Sequence, residues 1–76
     1  MRRWIDDRGW AWDVVAGRES WGASLALFVP VGVGRPEPVR QAPLRSAGYD
    51  EAQRELDSLD DAALGALFRS AKPKES

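Results

Sequence analysis

The sequence contains no histidine and no cysteine. Those two absences remove disulfide staples, thiolate or imidazole zinc sites, cysteine nucleophiles and any Ser-His-Asp triad. A phosphate-cradling loop is missing too, because Gly32-Val33-Gly34 lacks the later glycine and the following helix of a dinucleotide fingerprint. No Asp-x-Asp-x-Asp-Gly spacing offers a calcium loop. With none of these parts present, catalysis has no visible machinery, and the sequence predicts a protein that is not an enzyme and holds no cofactor and no metal.

Long apolar runs are also missing. The longest uncharged apolar stretch, around residues 25–29, falls far short of the ~20 residues a membrane helix needs. Met1-Arg2-Arg3 starts as a secretory leader would, but Asp6, Asp7, Arg8 and Asp13 interrupt the stretch where its apolar region would lie. The expectation is a cytoplasmic protein without a membrane partner. Lysine is scarce, with two against nine arginines. Together with the abundant alanine, that bias fits a GC-rich bacterial genome.

What is present describes a small globular domain. The 76 residues carry a net charge of −1, with 43% hydrophobic and 30% charged residues, too apolar and too balanced for a disordered chain. A chain of this size hides little more than ~60% of its unfolded surface. Its core must therefore draw on four tryptophans, two phenylalanines and one tyrosine, since large aromatics bury ~150–250 Å² each. That leaves little room for an internal cavity, so a binding site belongs on the surface or between two copies.

The chain changes character near Gly48. All four tryptophans and four of the five prolines precede it, and an Ala-, Leu-, Asp- and Glu-rich stretch comes after it. The order is strands then helices, an α+β class. The sequence predicts an antiparallel β-meander of three or four strands, with a C-terminal helical segment packed on one sheet face. That single domain spans residues 1–71, with strands in 1–48 and helices in 49–71, and residues 72–76 form a flexible tail.

The first hairpin is the sharpest local expectation. Trp4-Ile5-Asp6 and Trp10-Ala11-Trp12 flank Asp7-Arg8-Gly9, whose glycine suits the left-handed position of a three-residue loop with a bulge. Ile5 then faces Ala11, Trp4 faces Trp12, and Arg3 meets Asp13 as a cross-strand ion pair. Trp4, Trp10, Trp12 and Val14 share the other side. A third, uncharged strand over residues 23–29 reads as central. A fourth over residues 39–42 reads as a short edge strand that Pro43 limits.

Beyond Gly48, one helix over residues 50–57 presents Tyr49, Ala52 and Leu56 on one stripe. Ser58 caps a second helix, in which Leu64, Leu67, Phe68 and Ala71 form an i, i+3, i+4, i+7 stripe. A single bent helix is the competing reading.

For the paired carboxylates Asp6/Asp7 and Asp60/Asp61, turn and cap duty suffices as an explanation. Trp21 is more informative, because it sits in a turn between Ser20 and Gly22, beside Arg18 and Glu19. It either folds back onto the core or faces a partner, and Trp with Arg is the composition that dominates interface energetics. Arg35, Arg40 and Arg45 recur around the expected edge strand. The candidate binding surface is therefore Arg18, Trp21, Arg35 and Arg40, and the expected function is a small non-enzymatic bacterial accessory or adaptor protein. Its partner is another protein, or itself as a homodimer.

The alternative is a nucleic-acid-binding regulator. Residues 1–48 carry seven basic and five acidic side chains and the remainder four and seven, so basic charge gathers beside the tryptophans. Aromatics that stack bases beside phosphate-holding arginines suit a single strand. An overall pI of about 5.3 weighs against it.

Overall fold

The computed structural model describes residues 2–18, 24–46 and 48–73. Strands β1 (Arg2–Ile5) and β2 (Ala11–Arg18) form the expected hairpin, with Arg3 opposite Asp13, Trp4 opposite Trp12 and Ile5 opposite Ala11. Gly9 takes the left-handed position at φ +85°. The Asp6 amide donates to the Trp10 carbonyl at 2.9 Å, closing a loop of three residues. On the outer side of the pair, the Arg3 Nε lies 2.8 Å from an Asp13 carboxylate oxygen.

Strand β3 (Ser24–Pro30) pairs with β2, and β4 (Arg40–Pro43) pairs with β3. A two-residue strand, β5 (Lys72–Pro73), then pairs with β4, completing a five-stranded antiparallel meander in chain order. Two expectations are corrected by this last strand. Residues 39–42 were to be an edge, yet β4 has neighbours on both sides. Residues 72–76 were to be a tail, yet Lys72 and Pro73 belong to the sheet. The cause lies at Ala71, which is buried and whose N–H closes on the Phe68 carbonyl at 3.1 Å, so the chain leaves the helix beside β4. At the sheet edge Pro73 removes no needed donor.

Two helices separate β4 from β5, so the bent single helix is excluded. Helix α1 spans Tyr49–Ser58 and α2 spans Asp61–Ser70. Leu59 and Asp60 between them are extended, at φ/ψ of −76°/136° and −82°/176°. The cap of α2 is Asp60, whose carboxylate accepts the Ala63 N–H at 2.8 Å, rather than Ser58. The Ser58 hydroxyl donates to the Glu55 carbonyl at 2.8 Å, inside the last turn of α1. No basic residue of α1 occupies that last turn. Arg2 supplies the missing positive charge from β1, donating to the carbonyls of Leu56 and Leu59 and lying 3.5 Å from Asp61. That placement complements the negative end of the helix.

Both helices cover the same sheet face. Trp12, Val14 and Phe28 from the strands and Leu56 and Leu64 from the helices are fully buried there. Phe68 of α2 fills the centre of an aromatic cluster, with ring centroids 5.2 Å from Trp4, 4.8 Å from Trp12 and 5.2 Å from Phe28. The opposite face, carrying Ile5, Ala11, Val15, Leu27 and Val29 beside the Arg3–Asp13 pair, has no described element over it. No helix among the described residues is long and apolar enough to cross a membrane.

Candidate functional site

The loop between β3 and β4 returns across the hairpin end of the sheet. Gly32 and Gly34 adopt φ of +123° and +77°, conformations that side chains rarely tolerate, and they turn the chain so that Arg35 points inward. The Arg35 side chain is only 6% exposed. Its Nη1 donates to the carbonyls of Ala11 at 2.9 Å and Val31 at 2.8 Å, and its Nε to Glu37 at 2.8 Å. The guanidinium lies against two indoles, 4.7 Å from the Trp10 ring centroid and 4.9 Å from that of Trp12. Such contacts contribute about 0.5–1 kcal/mol when exposed and more when desolvated.

Trp10 was expected in the core with Trp4 and Trp12. It lies instead just before β2 and remains 45% exposed. The bulged turn at Gly9 places it beyond the reach of the helices, and Arg35 is what it packs against. One side of its ring is held while much of the remainder faces solvent.

Asp6 fixes the same corner from below. Its carboxylate is buried and accepts the amides of Arg8 at 3.0 Å and Trp10 at 2.9 Å, as well as the Trp12 indole N–H at 3.0 Å. The Arg8 guanidinium adds a contact at 3.3 Å. Burial pushes this carboxyl up, but the hydrogen bonds from Trp12, Trp10 and Arg8 outweigh it and hold the group below its ordinary value. Glu37 is likewise held down by the hydrogen bond from Arg35. Both carboxylates thus stay ionised at neutral pH and are committed as acceptors, which suits positioning rather than proton transfer.

Of the sequence-predicted residues, Arg18, Arg35 and Arg40 are described, and Arg18 lies apart from the other two. Arg35 and Arg40 converge on the aromatic cluster from two sides, the Arg40 guanidinium lying 4.9 Å from the Phe68 centroid. Arg18 ends β2 six residues beyond Trp12, about 20 Å away at ~3.3 Å per residue. Trp21 lies outside the described residues. Arg35 was expected as a free surface cation; it is internal, because the two glycines fold the loop back onto the hairpin.

Sequence reasoning missed Trp10 as the exposed tryptophan among the described residues. The available signal was its position directly after the three-residue loop, one residue outside the paired strands.

Two open clefts lie elsewhere on the surface, one of them reaching Asp6. One, of about 750 Å³, lies between the β4–α1 connection and the helices, lined by Leu44, Leu59, Ala63, Ala66 and Leu67 among others. The other, of about 480 Å³, runs between β1 and α2. No group of three or more acidic side chains suited to a metal ion occurs among the described residues. No family model matches the chain, and no curated protein or solved structure matches it at a significant level.

Proposed function

We propose that this chain is a small non-enzymatic accessory protein of the bacterial cytoplasm that acts by binding another protein, with Trp10 as its anchor. The observation that carries the reading is a half-exposed tryptophan held in one orientation by a buried arginine. Leaving about 45% of an indole residue in water forgoes roughly 3 kcal/mol of burial, at ~25 cal/mol per Å² over ~110 Å². In a 76-residue domain short of core, that is a large sacrifice unless a partner covers the ring. Rigid aromatic anchors bind well because little side-chain freedom remains to be lost. The Arg35 stack and the Asp6 acceptor supply that rigidity.

Charge favours a protein over a nucleic acid at this corner. The Arg35 guanidinium is matched by Glu37, and Asp6 matches Arg8, so little unpaired positive charge surrounds Trp10 among the described residues. Single-strand platforms need cations free for phosphates.

A capture experiment on the tagged protein, with and without nuclease and at low and high salt, tests the class of partner. The expected result is a stoichiometric protein that survives nuclease and keeps most of its binding as salt rises. Recovered nucleic acid, with affinity falling steeply with salt through counterion release, would overturn the reading.

A further inference from the structure

The two edges of the sheet are built differently. Strand β5 closes one side with two residues, a lysine and a proline, the residue types that discourage pairing between exposed edges. Strand β1 closes the other with four residues, Arg2–Ile5, and holds neither type. Along β1, hydrogen-bonded and non-hydrogen-bonded pairs alternate, starting from the Asp6 N–H to Trp10 carbonyl bond. The N–H and C=O groups of Arg3 and Ile5 therefore point away from β2. Among the described residues, no strand, loop or side chain bonds to them. Ile5 itself is 56% exposed.

The arginines of β1 do not protect this edge, because each is engaged within the chain. Arg2 lies 3.5 Å from Asp61, and Arg3 lies 2.8 Å from Asp13. Beyond the strand, Arg8 lies 3.3 Å from Asp6. Asp7 and Arg69, one of each sign, line the cleft of about 480 Å³ beside β1. An edge so balanced selects no charged partner. It suits a surface with the same balance.

From the outward backbone groups, the missing edge protection and the internal charge balance, we propose that β1 pairs with β1 of a second copy across a two-fold axis, joining two five-stranded sheets into one. An isologous antiparallel pair sets outward-facing residues against one another. With Trp4 at the axis, Arg3 stands opposite Ile5 of the second copy, and every outward group is used in four backbone hydrogen bonds. Registers centred on Arg3 or on Ile5 form only half of these. With Trp4 at the axis, no cation stands directly opposite another. Each Arg3 keeps its own Asp13, and its stem covers the exposed Ile5 of the second copy.

The molecule measures 32 × 29 × 20 Å, and the stack of helices on sheet is its thin dimension. The side that carries β1 thus offers roughly 600 Å², short of the ~800 Å² per partner of a standard interface. A weak, reversible pair is expected, with a dissociation constant on the order of 100 µM. The interface does not include Trp10, so the proposal goes beyond the reading above.

The test is sedimentation equilibrium of the full chain from about 10 µM to about 1 mM, with amide exchange measured at both ends of that range. The apparent mass is expected to rise from 8.4 kDa toward twice that value. About four fifths of the chains then pair at ~1 mM, which slows exchange at Arg3 and Ile5 about fivefold. Ile5→Pro removes an N–H that the single chain leaves unused, and edge strands tolerate proline there. Ile5→Lys sets a lysine against Arg3 of the second copy, and like charges directly opposite destabilise a strand pair. Both variants should keep the wild-type circular dichroism and stay at 8.4 kDa throughout. Should Ile5→Pro unfold the chain, Ile5→Lys decides alone. Trp10→Ala should pair as wild type does, so this proposal and the Trp10 reading fail separately. A constant mass of 8.4 kDa across the range would overturn the proposal. So would a dimer whose Arg3 and Ile5 amides exchange at the dilute rate, one that survives Ile5→Lys, or one that Trp10→Ala abolishes.

Discussion

Asp6 closes the hairpin through its backbone, satisfies two turn amides through one oxygen, and ties the turn to the core through the Trp12 indole. Removing the acceptor orphans buried donors, at about 1–3 kcal/mol for each fully desolvated group. Asp6→Ala is therefore expected to lower unfolding free energy by about 3 kcal/mol in urea titrations. A loss below ~0.5 kcal/mol, the scale of a neutral surface substitution, would show these bonds to be dispensable.

The same residue sets an acid limit. Its carboxyl lies lower in the folded chain than its ordinary value of 3.8, and Glu55, held by the Ser46 hydroxyl and the Arg45 and Ser46 amides, is also depressed against its burial. For a lowered carboxyl, the stabilisation is complete above the unfolded value and lost as pH falls through the folded one. Stability should thus decline from about pH 4 downward, and the decline should be shallower in Asp6→Ala. At this scale the sequence was partly legible. Aspartate before an Arg-Gly turn announces turn duty, but its bond to Trp12 depends on how far the indole reaches across the hairpin.

At the scale of elements, alternation and turn chemistry determined what could be read. The β1–β2 register came from a three-residue loop ending in glycine, because a one-residue slip would turn every Trp to the wrong face. The centrality of β3 came from its uncharged run. Cap assignment between α1 and α2 was not readable in this way, because Ser58, Asp60 and Asp61 all satisfy the local preferences. The choice is made by the extended conformation at Leu59 and Asp60, which carries the chain past the Arg2 guanidinium. Asp60→Ala should cost about 1 kcal/mol through the lost cap. Ser58→Ala, by contrast, removes only a hydroxyl bond within an exposed helix end and should cost less than ~0.5 kcal/mol. Thermal melts of the two variants check the ranking, and the reverse order would move the cap back to Ser58.

Across the whole molecule, the helices decide what is inside. They cover one face of a five-stranded sheet, bury Trp4 and Trp12 against Phe68, and leave Trp10 outside the buried core. Trp10 packs on Arg35 instead. That placement was not legible in sequence, because it depends on a contact between residues 25 positions apart, brought together by two left-handed glycines. β5 escaped notice for a similar reason: two residues carry no period, and only the exit from α2 beside β4 makes them a strand. The buried and the exposed indole should behave differently. Trp12→Ala should cost about 3–5 kcal/mol as a core truncation. Trp10→Ala should leave a folded protein with the same circular dichroism spectrum and a far smaller loss in urea titrations.

The most direct measurement is the affinity of wild type and Trp10→Ala for the captured protein partner, by calorimetric titration at a temperature where both are folded. An anchor of hot-spot strength, at least ~2 kcal/mol, predicts a loss of about 30-fold or more. Affinity within about twofold of wild type, a difference of only ~0.4 kcal/mol, would contradict the assignment of Trp10 as the anchor.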